Sequence, residues 1–269
     1  KSAGIKPILG LTASILIKNE SYPFVLIAKN NDGYRYLLKI SSLLQTNFLN
    51  GIPIQLFKRY CRHLFVITPG RQGLIEQFLL KDQMQEAKKA VEYFQHMLDP
   101  DSFYLSIQDH GILEEHQLTG KILELKKMIH VPIVATNDVH YIEKHDAFAH
   151  RCLLSIKEGT RVGEEKGNDG GEYYVKSPEE MEEIFSSFPE AIENTERIAS
   201  QCNVEIELGK TKLPKYPVPD GFDTDDYLEK LCFDGLRKKI ETPSEEYVAR
   251  LRYELSVIKK MKFSDYFLI

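Results

Sequence analysis

Several times in roughly its first 140 residues, this chain sets a short apolar run against a polar or glycine-bearing turn and follows it with helical spacing. That alternation is the signature of a mainly parallel sheet with helical crossovers. The runs lie at residues 5–12, 22–28, 63–70, 103–108 and 131–142. Asn30-Asn31-Asp32-Gly33 supplies a turn, after which Leu37, Ile40, Leu43 and Leu44 recur at helical intervals. Residues 74–80, 84–97 and 114–130 also read as helices.

The last run, Val-Pro-Ile-Val-Ala-Thr-Asn-Asp-Val-His-Tyr-Ile over residues 131–142, most resembles the base of a site. It reads as a buried strand that delivers polar groups at its carboxyl end, where α/β proteins build their sites. Side chains alternate along a strand, so Asp138 and His140 are expected to point the same way. The pair has two readings. Oxygen and nitrogen donors together suit zinc or manganese, and equally a carboxylate and an imidazole make an ordinary buried hydrogen-bonded pair.

Composition narrows the classes. The chain has 269 residues, 42% of them hydrophobic and 28% charged, which suits a globular protein of one large domain and part of another. A formal charge of −5 argues against a dedicated nucleic-acid surface, because phosphate binding draws on concentrated Lys and Arg. Cys61, Cys152, Cys202 and Cys232 stand far apart, with neither a disulfide framework nor a zinc ribbon in their spacing. A reducing cytoplasm fits. No apolar run has bilayer-spanning length, and the first residues lack a signal-peptide layout. Lys1-Ser2-Ala3-Gly4-Ile5 reads as the end of a helix feeding a strand, so a fragment is expected.

Further along, residues 145–154 read as a helix with Asp146 near its favourable N-terminus, and residues 159–171 as a glycine-rich flexible loop. Ser177-Pro178-Glu179-Glu180 has the layout of a capping box, and a second such start lies at residues 187–191. Residues 210–221, with Pro214, Pro217 and Pro219, are the best candidate linker. Helices follow at 224–239 and 244–260, and the final apolar element, 263–269, reads as incomplete.

Taken together, five segments resemble the bacterial C-family replicative DNA polymerases, of the DNA polymerase III alpha-subunit (DnaE) type. They are Gly4-Ile5-Lys6-Pro7-Ile8-Leu9-Gly10, Asp109-His110-Gly111, residues 135–141, Leu213-Pro214-Lys215-Tyr216 and residues 262–269. The resemblance runs nearly end to end. It implies that residues 1–209 are most of a polymerase and histidinol phosphatase (PHP) domain, a distorted seven-stranded β/α barrel whose first strands are absent. Residues 210–269 would then be a linker and the start of the polymerase core, with the polymerase aspartates beyond Ile269. The implied parent reaction is template-directed nucleotidyl transfer from dNTPs with Mg²⁺. The implied partners are template-primer DNA, the sliding clamp, the clamp loader and a proofreading exonuclease.

On the same resemblance, Asp138 and His140 match the last two ligands of a Zn²⁺ or Mn²⁺ cluster. Thr12 stands where a ligand Glu is usual, and Thr68-Pro69-Gly70 where many members have Ser-Gly-Cys. A hydroxyl is a poor substitute for a carboxylate and glycine offers no side-chain donor, so the expectation is a vestigial site with no catalytic residue. His110 is expected to stabilise a turn, and His145 and His150 to be surface or satisfied helix residues. Lys210, Lys212 and Lys215 suit either an approach to DNA or a solvated linker. The leading expectation is therefore a scaffold for the polymerase core and for interactions with replisome proteins; two other hypotheses stand against it, an active PHP phosphoesterase or 3′–5′ proofreading exonuclease, and a pure docking module for an exonuclease or clamp loader.

Overall fold

The computed structural model describes residues 4–162, 171–209 and 214–269. Parts of the 159–171 loop and of the 210–221 linker, including Lys210 and Lys212, lie outside the described residues, as does Leu213. The chain divides into two compact units, Lys1–Ile206 and Glu207–Ile269.

The first unit opens on a hairpin, β1 (Gly10–Ile17) and β2 (Glu20–Ala28). Lys18 and Asn19 turn it with φ of 51° and 69°, the left-handed pair that a two-residue hairpin turn requires. Helix α1 (Asn31–Thr46), strand β3 (Ile52–Pro53), helix α2 (Ile54–Phe57) and strand β4 (Leu64–Ile67) follow. Next come α3 (Leu74–Leu80), α4 (Met84–Met97), β5 (Phe103–Ile107), α5 (Leu113–Met128) and β6 (Ile133–Ala135). Helices α6 (Ala147–Glu158), α7 (Pro178–Ile184) and α8 (Pro189–Gln201) complete the unit.

Among the described residues the six strands form one sheet in the order β3-β1-β2-β4-β5-β6. The β1–β3, β4–β5 and β5–β6 pairings are parallel, as strand–helix alternation implies, whereas β1–β2 and β2–β4 are antiparallel. The two antiparallel pairings arise because β1 and β2 form a hairpin, which the spacing of apolar runs does not predict. Residues 5–9 precede the strand, which pairs only from Gly10, opposite Ile27, and runs on through Ile15, Leu16 and Ile17 into the hairpin. Asn30 is likewise no mid-turn residue. Its side chain accepts from the Asp32 and Gly33 amides and so caps α1.

The two-residue period sorts side chains onto the two faces of the sheet. Ala13, Ile15, Phe24, Leu26, Leu64, Val66, Phe103, Leu105, Ile133 and Ala135 enter the main core with residues of α1, α3, α4 and α5. Each such aliphatic or aromatic side chain contributes about 1.5–3 kcal/mol of burial. The intervening Phe65, Ile67, Tyr104 and Val134 form a second core with Ile198 and Cys202 of α8 and its C-terminal end. Strands β4 to β6 are therefore apolar on both faces and read as continuous runs. Thr12, Pro23, Val25 and Ile27 of the hairpin instead line a cleft.

The Gly4–Gly10 motif has a structural role through Lys6, whose ammonium donates to the Ala199 and Ser200 carbonyls at the end of α8, at 2.7 and 3.1 Å. These are acceptors that a helix leaves without internal partners. Lys6→Ala is expected to lower stability by about 1 kcal/mol, read as a shift in the urea midpoint at constant slope; an unchanged midpoint would show that water replaces the ammonium at no cost.

Ser177 makes the expected capping box, with Glu180 N donating to its hydroxyl at 3.2 Å and Ser177 N donating to Glu180 Oε2 at 2.7 Å. The second anticipated box does not form, since α8 begins at Pro189 with Phe188 at its cap and no side-chain bond there.

In the second unit, α9 (Thr224–Lys239), α10 (Glu245–Lys260) and α11 (Ser264–Leu268) are tied by polar side chains. Ser264 Oγ donates to Asp225 Oδ1 at 2.5 Å, and Tyr216 N to Asp265 Oδ1 at 2.8 Å. Two segments recognised in the sequence, around Tyr216 and Ser264-Asp265, thus fasten one another.

Candidate functional site

The cleft has a volume of about 410 Å³ and lies on the face of the sheet where Thr12, Val25 and Ile67 sit side by side on β1, β2 and β4. Thr68, Pro69 and Asp138, singled out from the sequence, line it together with Thr12. Three stretches distant in the chain are therefore brought to one place. Gly70 adopts φ +88°, and a Cβ there would meet Gln108 Oε1 at 2.1 Å, so the Gln108 amide fills the space a side chain at this turn would need.

The geometry around Asp138 differs from the expectation in two respects. Strand β6 ends at Ala135, so residues 136–140 are irregular and strand alternation does not orient Asp138 and His140. They nevertheless meet, His140 Nε2 lying 3.2 Å from Asp138 Oδ2. The pair is also exposed rather than buried, with side chains 58% and 44% accessible, which leaves it screened by solvent. The physical reason is that the β6 backbone finds its last partner at Ile107, whose carbonyl accepts from Thr136 N at 3.0 Å, and the chain then leaves the sheet.

The buried polar centre of the cleft is His110. Asp109 Oδ1 accepts from Gly111 N at 2.9 Å, and Gly111 takes φ +71°, so the Asp109-His110-Gly111 segment is a side-chain-stabilised turn at the end of β5. The turn aims His110 at the first turn of α5. There Glu115 accepts from the His110 backbone N at 2.7 Å and lies 3.1 Å from its Nδ1.

Burial works to raise the Glu115 carboxyl, but the His110 bonds and the Arg71 guanidinium outweigh it and hold it below the usual glutamate range. Arg71 Nε stands 3.5 Å from Glu115 Oε1, and Arg71 also pairs with Glu114 at 3.0 Å. The other ring nitrogen of His110, Nε2, is buried with no hydrogen-bond partner among the described residues.

Tyr173 covers this centre. Its ring lies 4.1 Å from that of His110 at an interplanar angle of 7°, and 5.3 Å from that of His140. Burial raises the Tyr173 phenol, and the Glu115 charge adds to the effect. His150 of α6 stacks on His140 at 5.1 Å, so of the two expected roles it takes that of a satisfied helix residue. His145, by contrast, is exposed, with Asp146 as its 3.7 Å neighbour.

Sequence reasoning missed Glu115, Arg71 and Tyr173. Glu115 had a local signal, an acidic residue five positions after His110 in the first turn of a helix. Arg71 and Tyr173 had none, since they approach from other elements.

Residues 1–110 match the PHP domain family, and residues 226–269 match the family described as bacterial DNA polymerase III alpha NTPase domain. The chain thus carries a PHP-domain match over residues 1–110 of its first unit, and along its own length it matches bacterial DNA polymerase III alpha subunits.

Among its relatives, the DNA polymerase III subunit alpha of Bacillus subtilis (strain 168) is 43% identical across all of this chain and 24% of that protein. Those of Borreliella burgdorferi and Pseudomonas fluorescens are each 35% identical, over 100% and 99% of this chain and 25% and 24% of theirs. The chain spans about a quarter of the length of these relatives. No helix among the described residues is long and apolar enough to cross a membrane.

Proposed function

We propose that the chain is the PHP region, followed by the start of the polymerase core, of a cytoplasmic replicative DNA polymerase. Its PHP cleft is metal-silent and serves as a frame. In this reading residues 1–209 form most of a seven-stranded PHP barrel and residues 210–269 form the linker and the first core helices. The parent enzyme carries out DNA synthesis with Mg²⁺ and dNTPs on template-primer DNA, at a site outside these residues. Its partners are the sliding clamp, the clamp loader and a proofreading exonuclease. Support comes from the whole-length similarity to DNA polymerase III alpha subunits.

The observation that carries the silent-cleft reading is the donor set. Both carboxylates lining the cleft are engaged, Glu115 by His110 and Arg71 and Asp138 by His140, and Thr12 and Thr68 add only hydroxyls. A multinuclear Zn²⁺ or Mn²⁺ cluster needs several carboxylate, imidazole or thiolate donors to neutralise its charge. Among the described residues no group of three or more His, Cys, Asp and Glu converges to hold one. These residues do not fit the cluster.

Elemental analysis of the full-length protein is expected to find no stoichiometric zinc or manganese. His140→Ala is expected to leave any exonuclease activity unchanged. Bound metal lost together with activity in His140→Ala would instead establish the second reading, an active PHP phosphoesterase or proofreading exonuclease. The meeting of Asp138 and His140 at the cleft favours that reading.

A further inference from the structure

The segment Glu172–Lys176 crosses the cleft as a strap, and its attachments are unusually complete for irregular backbone. Tyr173 O accepts from His140 N at 2.8 Å, Tyr173 N donates to the Tyr141 phenol at 3.2 Å, and Val175 N donates to Ile142 O at 3.2 Å. Asn137 Nδ2 donates to Tyr174 O at 2.8 Å, while the ammonium of Lys176, whose side chain is 2% exposed, bonds the Glu172 carbonyl and stands 4.6 Å over the Tyr174 ring.

Beneath the strap, the Tyr173 ring lies flat on His110, and its phenol meets the Arg71 side chain. The negative charge of Glu115 is therefore balanced by a guanidinium of the protein itself, and the imidazole it orients is sealed by an aromatic ring. A carboxylate holding a histidine Nδ1 while Nε2 faces a site is the support that metal-ligating histidines use. Here Nε2 is closed off.

We propose that Arg71, Glu115, His110 and Tyr173 form a metal-independent lock that keeps the strap closed over the cleft. The lock does the holding that a bound ion would otherwise do. This rests on the metal-silent reading of the cleft. Three consequences separate it from a chance packing arrangement. The strap stays closed with or without divalent ions, closure depends on the Tyr173 ring, and the phenol contributes through Arg71.

Hydrogen exchange of the full-length protein tests the lock at the His140 and Val175 amides, whose hydrogen bonds join the strap to the segment beneath it, with EDTA or Mn²⁺ added. Protection in the wild type is expected to be the same in both conditions. Tyr173→Ala is expected to speed exchange at both amides by about tenfold or more while amides of β4 and β5 keep their rates. Tyr173→Phe keeps the stacked ring and removes only the phenol, and a rise of about threefold is expected; this variant keeps the test decisive if Tyr173→Ala misfolds. Unchanged exchange in both variants overturns the lock. Slower exchange in the wild type with stoichiometric Mn²⁺ uptake overturns the metal-silent reading instead.

Discussion

Replacing Glu115 by alanine is expected to destabilise the protein by about 2–4 kcal/mol, the cost of leaving two buried donors without an acceptor. The Glu115 side chain is 3% exposed and accepts from the His110 backbone and ring, so its loss strands both His110 donors, while Arg71 keeps Glu114 and solvent. An unsatisfied buried donor costs far more than a hydrogen bond gains.

The pH dependence follows from the depressed carboxyl. Because the folded state holds Glu115 below the usual glutamate range, its stabilisation is present above the unfolded value and is lost as pH falls through the folded one. The gap between wild type and Glu115→Ala is therefore expected to be full at pH 7 and to narrow in acid. Urea unfolding at both pH values reads it directly, and a gap below about 1 kcal/mol at pH 7 would count against a connected network.

Glu76 carries the opposite sign. It lies in the first turn of α3, fully buried, and neither carboxyl oxygen has a hydrogen-bond partner of normal geometry among the described residues. A Cβ at Gly73 would meet Glu76 Oε2 at 2.0 Å, so the glycine is what makes room for it. Burial pushes the carboxyl up to about 7, against a smaller opposing pull from the Thr68 side chain.

A raised carboxyl means that the folded state binds more protons than the unfolded state between the ordinary glutamate value of 4.5 and about 7. Stability then falls as pH rises through that window, by about 3 kcal/mol in all. Glu76→Gln removes the ionisation and keeps the shape. It is expected to be more stable than wild type by about 1–3 kcal/mol at pH 8 and equal to it near pH 5. Unfolding curves that differ by the same amount at both values would show that Glu76 does not titrate there.

Much of the first unit was legible locally. The helices over residues 74–80 and 84–97 are present at those bounds, and Ser177-Pro178-Glu179-Glu180 closes as a capping box. These depend on contacts within a few residues, which composition and spacing encode. The hairpin was not legible in that way, because Ile15-Leu16-Ile17 has no alternation and the Lys18-Asn19 turn lacks the glycine that marks such turns. Asn30 was placed in a turn although it caps a helix, since the same residue types serve both roles.

For the cleft, the amino-acid order by itself determined which positions gather there and what they lack. Thr12, Thr68, Pro69 and Asp138 do line one cavity, and the two hydroxyls and the proline supply none of the carboxylate, imidazole or thiolate donors that a zinc or manganese cluster needs. What only the tertiary structure decided is how that deficit is met. Arg71 follows β4, His110 follows β5, Glu115 begins α5 and Tyr173 arrives from the strap. Whether their charges and rings meet depends on sheet order and on where β6 lets go of its neighbour, and no local spacing encodes either.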